Sequence, residues 1–104
     1  MTVEEKACCL RIVDHYGVEN QEGMMIEECA ELITALRHKE RGRASADDII
    51  DELADVVIMA QQLSIVYGQR KVENRINDKL QRQIDRIGNE KPPQRPRRIP
   101  READ

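Results

Sequence analysis

Apolar side chains recur along this chain at intervals of three and four residues, the repeat of an amphipathic helix. The clearest case is Val72, Ile76, Leu80, Ile84 and Ile87, a narrow stripe on an otherwise polar segment. The stretch from Leu53 to Leu63 is patterned differently. Val56 and Leu63 point one way, while Ala54, Ile58 and Ile65 point another. A helix that is apolar all round must be buried on all sides. Three other helices do not suffice to surround it, so the pattern predicts a homodimer or homotetramer with the second and third helices at the interface.

Caps set the limits of these segments. Thr2 with Glu5, and Ser45 with Asp48, have the spacing of capping boxes, and Asn20 is placed to cap the second helix. Gly17, Gly42, Gly68 and Gly88 each follow a helical pattern, as C-terminal caps do. The reading is an all-α domain over 1–88, with helices at about 2–16, 20–41, 45–67 and 69–87. Gly23 falls inside the second helix, where it weakens the helix by about 1 kcal/mol relative to Ala and marks an expected close helix approach. All four prolines lie beyond, in Lys91-Pro-Pro-Gln-Arg-Pro-Arg-Arg-Ile-Pro. The tail over 89–104 is expected to be an extended arm or disordered.

Composition changes this picture little. The chain has 104 residues, the size of one domain, with no Trp, no Phe and two Tyr. Its net charge of −3 does not suggest a nucleic-acid partner. The basic tail is more simply a soluble arm. Three cysteines, Cys8, Cys9 and Cys29, are an odd number without zinc spacing. They fit a reducing, cytoplasmic compartment. The longest apolar run, Val56 to Ala60, is far too short to cross a membrane.

The candidate chemistry lies in four acids. Glu28 and Glu31 share one helix face, and Glu52 and Asp55 share another, each pair spaced i, i+3 in a strongly apolar segment. None has Lys or Arg three or four residues away. Around Glu28 those positions hold Met24, Met25, Glu31 and Leu32; around Asp55 they hold Asp51, Glu52, Ile58 and Met59. Such neighbours raise a carboxylate pKa. The fourth helix shows the ordinary arrangement, in which Glu73 has Arg70, Asp78 has Arg75 and Arg82, and Asp85 has Arg82 within helical reach. Cations of that helix reaching across as partners are the bland alternative for the quartet. The favoured reading is a hard divalent cation, Mg²⁺ or Mn²⁺ rather than Zn²⁺, since every ligand is a carboxylate. Mg²⁺ commonly joins carboxylates to phosphate oxygens, so a polyphosphate, and among these a nucleotide, is the expected substrate.

Glu27-Glu28-Cys-Ala-Glu31-Leu, followed after about twenty residues by Asp51-Glu52-Leu-Ala-Asp55-Val-Val-Ile, resembles the signature of the all-α nucleoside triphosphate pyrophosphatase superfamily. That group holds the MazG-type proteins, dimeric dUTPases, dCTP pyrophosphatases and phosphoribosyl-ATP pyrophosphatase. Lys79-Leu80-Gln81-Arg82 is similar to its basic segment, and the resemblance covers about residues 15–87. It implies a four-helix MazG-like domain in a helical-bundle oligomer. It implies Glu28, Glu31, Glu52 and Asp55 as Mg²⁺ ligands and catalytic groups. The implied reaction is hydrolysis of a (d)NTP to (d)NMP and pyrophosphate, as in nucleotide-pool house-cleaning. The chain lacks the Trp and Phe with which some members stack the base.

Other residues carry weaker expectations. Arg37, Lys39, Arg41 and Arg43 either grip phosphate or complement a helix C-terminus. Lys39 is favoured because it shares a face with Glu28. Lys79 and Arg82 are further phosphate candidates, with intrahelical pairing the alternative for Arg82. His15 and Tyr16, with Gln21 after the turn, are the candidates for a base pocket, the alternative for the His-Tyr pair being capping and packing. Two other functions compete: a phosphoribosyl-ATP pyrophosphatase-like enzyme, and a non-catalytic helical dimerisation or regulatory module stabilised by metal.

Overall fold

The computed structural model describes residues 1–90, and they form four helices: α1 (Val3–Tyr16), α2 (Val18–Glu40), α3 (Ala46–Tyr67) and α4 (Gln69–Asn89). No strand occurs among the described residues, and the class is all-α, as the apolar spacing requires. The Pro/Arg-rich stretch expected to be an arm falls, from Lys91 on, outside the described residues. No helix of the described residues is long and apolar enough to cross a membrane.

Both capping boxes form. Thr2 Oγ1 accepts from Glu5 N at 3.1 Å while Glu5 Oε1 accepts from Thr2 N at 2.9 Å. At α3, Ser45 Oγ accepts from Asp48 N at 3.2 Å and Asp48 Oδ2 accepts from Ser45 N at 2.8 Å. The start of α2 differs from expectation. It begins at Val18 directly after Gly17, with no side-chain cap, and Asn20 lies inside it. Gly17 (φ 89°) ends α1 and starts α2 as a one-residue joint, a backbone state that favours glycine. Gly68 (φ 116°) separates α3 from α4 in the same way. Gly88 is not a cap, because α4 continues through it to Asn89. Nor does Gly23 mark a close approach: a Cβ there would meet nothing within 4 Å.

The chain divides into two compact units, Met1–Val72 and a second beginning at Glu73. In the first, α2 and α3 form the dominant packing pair, and α1 packs on both, more on α3. Cys9, Val13 and Met59 make up the buried apolar core, joined by the buried amides Gln21 and Gln62. Many large apolar side chains stay exposed, among them Ile26 and Ile33 on α2 and Ile50, Leu53 and Val57 on α3. An open groove of about 520 Å³ is lined by Met1, Glu5, Leu53, Ala54, Val57 and Ile58. The cysteines are free: Cys8 exposed, Cys9 buried and Cys29 half-buried.

The second unit holds most of α4. Its apolar stripe is exposed at Ile76, Leu80, Ile84 and Ile87. The expected ion pairs of Asp78 and Asp85 do not form among the described residues. Asp85 accepts from Gln81 Nε2 at 2.9 Å instead. Exposed pairs gain little from holding two long side chains together, so an amide partner one turn away competes readily.

Candidate metal centre

α2 and α3 run antiparallel, and polar side chains recur along their seam. Near the start of α2, Gln21 Nε2 donates to Gln62 Oε1 at 2.7 Å. Both side chains are buried, Gln62 to 1% exposure. Gln21 Oε1 accepts from Asn20 at 3.1 Å, and Gln62 Nε2 lies 3.7 Å from the Met59 sulfur. At the same end the Tyr67 hydroxyl donates to the Glu22 carboxylate. That bond, and then the Glu22 charge, push the phenol above its ordinary range.

Seven residues further along α2, and seven back along α3, the sequence places Glu28 and Asp55 where the glutamines stood. Glu31 and Glu52 follow about one turn on. Carboxylate oxygens of Glu28, Glu31 and Glu52 lie within 4.8 Å of one another. Asp55 falls outside this trio, yet its charge acts on both Glu28 and Glu52. Glu28 and Glu52 are half-buried, whereas Glu31 and Asp55 are exposed. Burial, followed by the Glu31 charge and then that of Asp55, raises the carboxyls of Glu28 and Glu52 above the ordinary Glu range.

No cationic side chain among the described residues pairs with them. None of the four acids forms an ion pair among the described residues; Arg37 and Glu40 do, at 3.2 Å on the exposed end of α2. Among the described residues, three buried side-chain polar atoms lack a hydrogen-bond partner, and two of them are Glu28 Oε2 and Glu52 Oε2. An ionised carboxylate can accept hydrogen bonds but not donate them. Three of them together therefore cannot satisfy one another, and a cation or protons must enter. The donor set is entirely oxygen, the chemistry of Mg²⁺ or Mn²⁺. The residues present fit such an ion.

An open pocket of about 380 Å³ adjoins the trio, with Glu31, Thr34, His38, Arg43, Asp48 and Glu52 among the residues on its wall. Lys39, favoured from the sequence, is exposed and does not line it. Lys79 and Arg82 are exposed on α4, in the second unit. His15 and Tyr16 stack edge to face, with centroids 4.6 Å apart at 88°. Tyr16 and Gln21 line a separate pocket of about 310 Å³ with Asn20 and Met24. Gln21, however, is tied to Gln62 and Asn20 rather than presented for a ligand.

His38 was legible from spacing, since it lies seven residues, about two turns, beyond Glu31. Asp48 could be found in the same way, one turn before Glu52. Arg43 lies in the turn, where helical arithmetic does not extend. Comparison with protein-family models, curated proteins and solved structures finds no match to this chain.

Proposed function

We propose that this chain is a Mg²⁺-dependent nucleoside triphosphate pyrophosphohydrolase of the MazG-like kind, converting a (d)NTP and water to (d)NMP and pyrophosphate. The observation that carries the proposal is the Glu28, Glu31 and Glu52 trio, with two buried carboxylate oxygens lacking any partner. Its family side rests on the sequence resemblance of the two acidic half-motifs.

Glu28, Glu31 and Glu52 would hold the cation, with Asp55 completing the set or standing beside it. A cation bound there would supply charge neutralisation at the phosphoryl oxygens and make water a better nucleophile. The protein's own part is placement. α2 and α3 hold the carboxylates rigidly before substrate arrives, so little reorganisation is needed as charge develops. A carboxylate not committed to the cation accepts the water's proton, and Asp55, outside the tight trio, is available for this. Attack of the water oxygen on phosphorus forms the new P–O bond. The bond to the departing pyrophosphate breaks and takes its electron pair with it.

The active form is a homodimer or homotetramer. Exposed Ile26, Ile33, Ile50, Leu53 and Val57 on α2 and α3 support this assembly, since contiguous exposed apolar surface marks an interaction site. Sedimentation is expected to give a multiple of the 12.0 kDa chain mass, and a monodisperse monomer contradicts this part.

The deciding experiment is a panel of ribo- and deoxyribonucleoside triphosphates, scored for monophosphate and pyrophosphate with Mg²⁺ and with EDTA. Release of both products from at least one substrate, abolished by EDTA, is expected. If Mg²⁺ raises the melting temperature while no nucleotide turns over, the chain is a metal-stabilised module rather than an enzyme.

A further inference from the structure

The pocket beside the acids is lined by both signs of charge. Glu31, Asp48 and Glu52 stand on its wall together with His38 and Arg43. In an open pocket of about 380 Å³ Arg43 shares the wall with three carboxylates, any of which could accept from it. Its side chain enters no hydrogen bond or ion pair among the described residues, whose recorded ion pair is Arg37–Glu40.

Asp48 Oδ2 is spent on the α3 N-terminus, accepting from Ser45 N at 2.8 Å and Ser45 Oγ at 3.1 Å. Glu31 and Glu52 face one another in the trio. Arg43 is itself placed by backbone bonding, its N–H donating to the His38 carbonyl at 2.8 Å and closing the turn after α2. Thr34 offers no free proton, because its hydroxyl donates to the Ala30 carbonyl at 2.9 Å. The donors left for a ligand on this wall are therefore the Arg43 guanidinium and the His38 ring.

We infer that Arg43, assisted by His38, is the anion-binding end of this pocket, and that it takes the diphosphate portion of a polyphosphate whose other oxygens meet a cation held by Glu31 and Glu52. This deepens the proposed function and rests on its reading of the acids as cation ligands. Without that cation, three carboxylates on the wall repel an anion. With it, the wall carries a divalent charge as well as Arg43, whose planar guanidinium fork matches phosphate oxygens bidentately. The assignment replaces Lys39, which stays outside the pocket, by Arg43.

Calorimetric titration of the full chain with inorganic pyrophosphate in the presence of Mg²⁺ tests this, using wild type, Arg43→Gln and Lys39→Gln. The two variants remove the same charge from the same end of α2. Arg43→Gln is expected to weaken pyrophosphate by about tenfold to a hundredfold, the usual worth of a charge-assisted contact. Mg²⁺ affinity measured alone should stay within about twofold, because a ligand-set residue is untouched. Lys39→Gln should change pyrophosphate affinity by less than about threefold, as screened surface charges do. Arg43→Lys should restore part of the loss, keeping the charge without the fork. The inference is overturned if wild type does not bind Mg²⁺–pyrophosphate, if Arg43→Gln binds as wild type does, or if Lys39→Gln loses as much. Nucleotide turnover is scored separately. Turnover with an indifferent Arg43→Gln removes this inference and leaves the function, whereas Arg43-dependent binding without turnover does the reverse.

Discussion

Two polar layers interrupt the same α2–α3 seam, and they solve the same problem differently. At Gln21 and Gln62, buried amides meet at 2.7 Å and each side chain also reaches a second partner. Seven residues along each helix the acids begin, and Glu28, Glu31 and Glu52 meet with no donor among them, Asp55 standing outside the trio. An amide carries both a donor and an acceptor, so two amides complete each other. Carboxylates carry acceptors alone, so closer packing makes their position worse. The glutamine layer is finished within the protein. The acidic layer finds no such completion among the described residues.

The sharpest way to break this contrast is to disable the acidic layer chemically while keeping its shape. Asp55→Asn is expected to lower pyrophosphate release by at least about a hundredfold, as loss of a group acting in the transition state does, with an unchanged circular dichroism spectrum. Equal rates for variant and wild type would remove the quartet from catalysis. In the glutamine layer the corresponding effect falls on stability. Gln62→Leu strands the Gln21 amide in the interior and should cost about 1–3 kcal/mol by chemical denaturation. Replacing both glutamines by leucine should cost far less, because no polar group is then left unpaired.

Protons sharpen the comparison further. Glu28 and Glu52 titrate above the ordinary Glu value of 4.5 in the folded chain, first because of burial and then because of like charges. The folded state therefore holds these protons more tightly than the unfolded state. Below 4.5 both states are protonated; as pH rises from there through the folded values, the folded state loses relative stability. Metal-free protein should accordingly show a falling melting temperature over that window. Glu5 has the opposite sign, since its capping bonds lower its pKa. Its contribution is present above 4.5 and lost as pH falls, so the two effects occupy different windows. Added Mg²⁺ should reverse the Glu28 and Glu52 slope, because the cation competes with the protons, and should raise the melting temperature with concentration. A melting curve indifferent to both pH above 4.5 and Mg²⁺ would mean the acids are neutralised otherwise.

The four helices were legible because local rules decide them. The Thr2–Glu5 and Ser45–Asp48 boxes, Gly17 and Gly68 mark ends through contacts within a few residues. The misreadings were also local. Asn20 carries a good capping side chain, but the joint at Gly17 lets α2 begin before it. Gly88 lacks a following segment that forces the helix to stop, and α4 runs past it. The sequence offered an acidic quartet as two i, i+3 pairs, and antiparallel packing across a short turn brings Glu28, Glu31 and Glu52 of it together. Arg43 was not separable from Lys39, because a turn residue's direction is set by backbone bonds such as Arg43 N to His38 O rather than by helical period. The Gln21–Gln62 bond was likewise hidden, since nothing in either helix alone shows which amide will face which.

Every side chain assigned to the cation and its anion lies within the single hairpin of α2, its turn and α3. Contacts between residues so near in sequence need little loop closure, and such contacts form early when a chain folds. The acidic cluster can therefore assemble before α1 docks, and a cation of the proposed kind would meet it already formed. For this chain, Mg²⁺ in the refolding buffer should act on the folding rate as well as on the final stability.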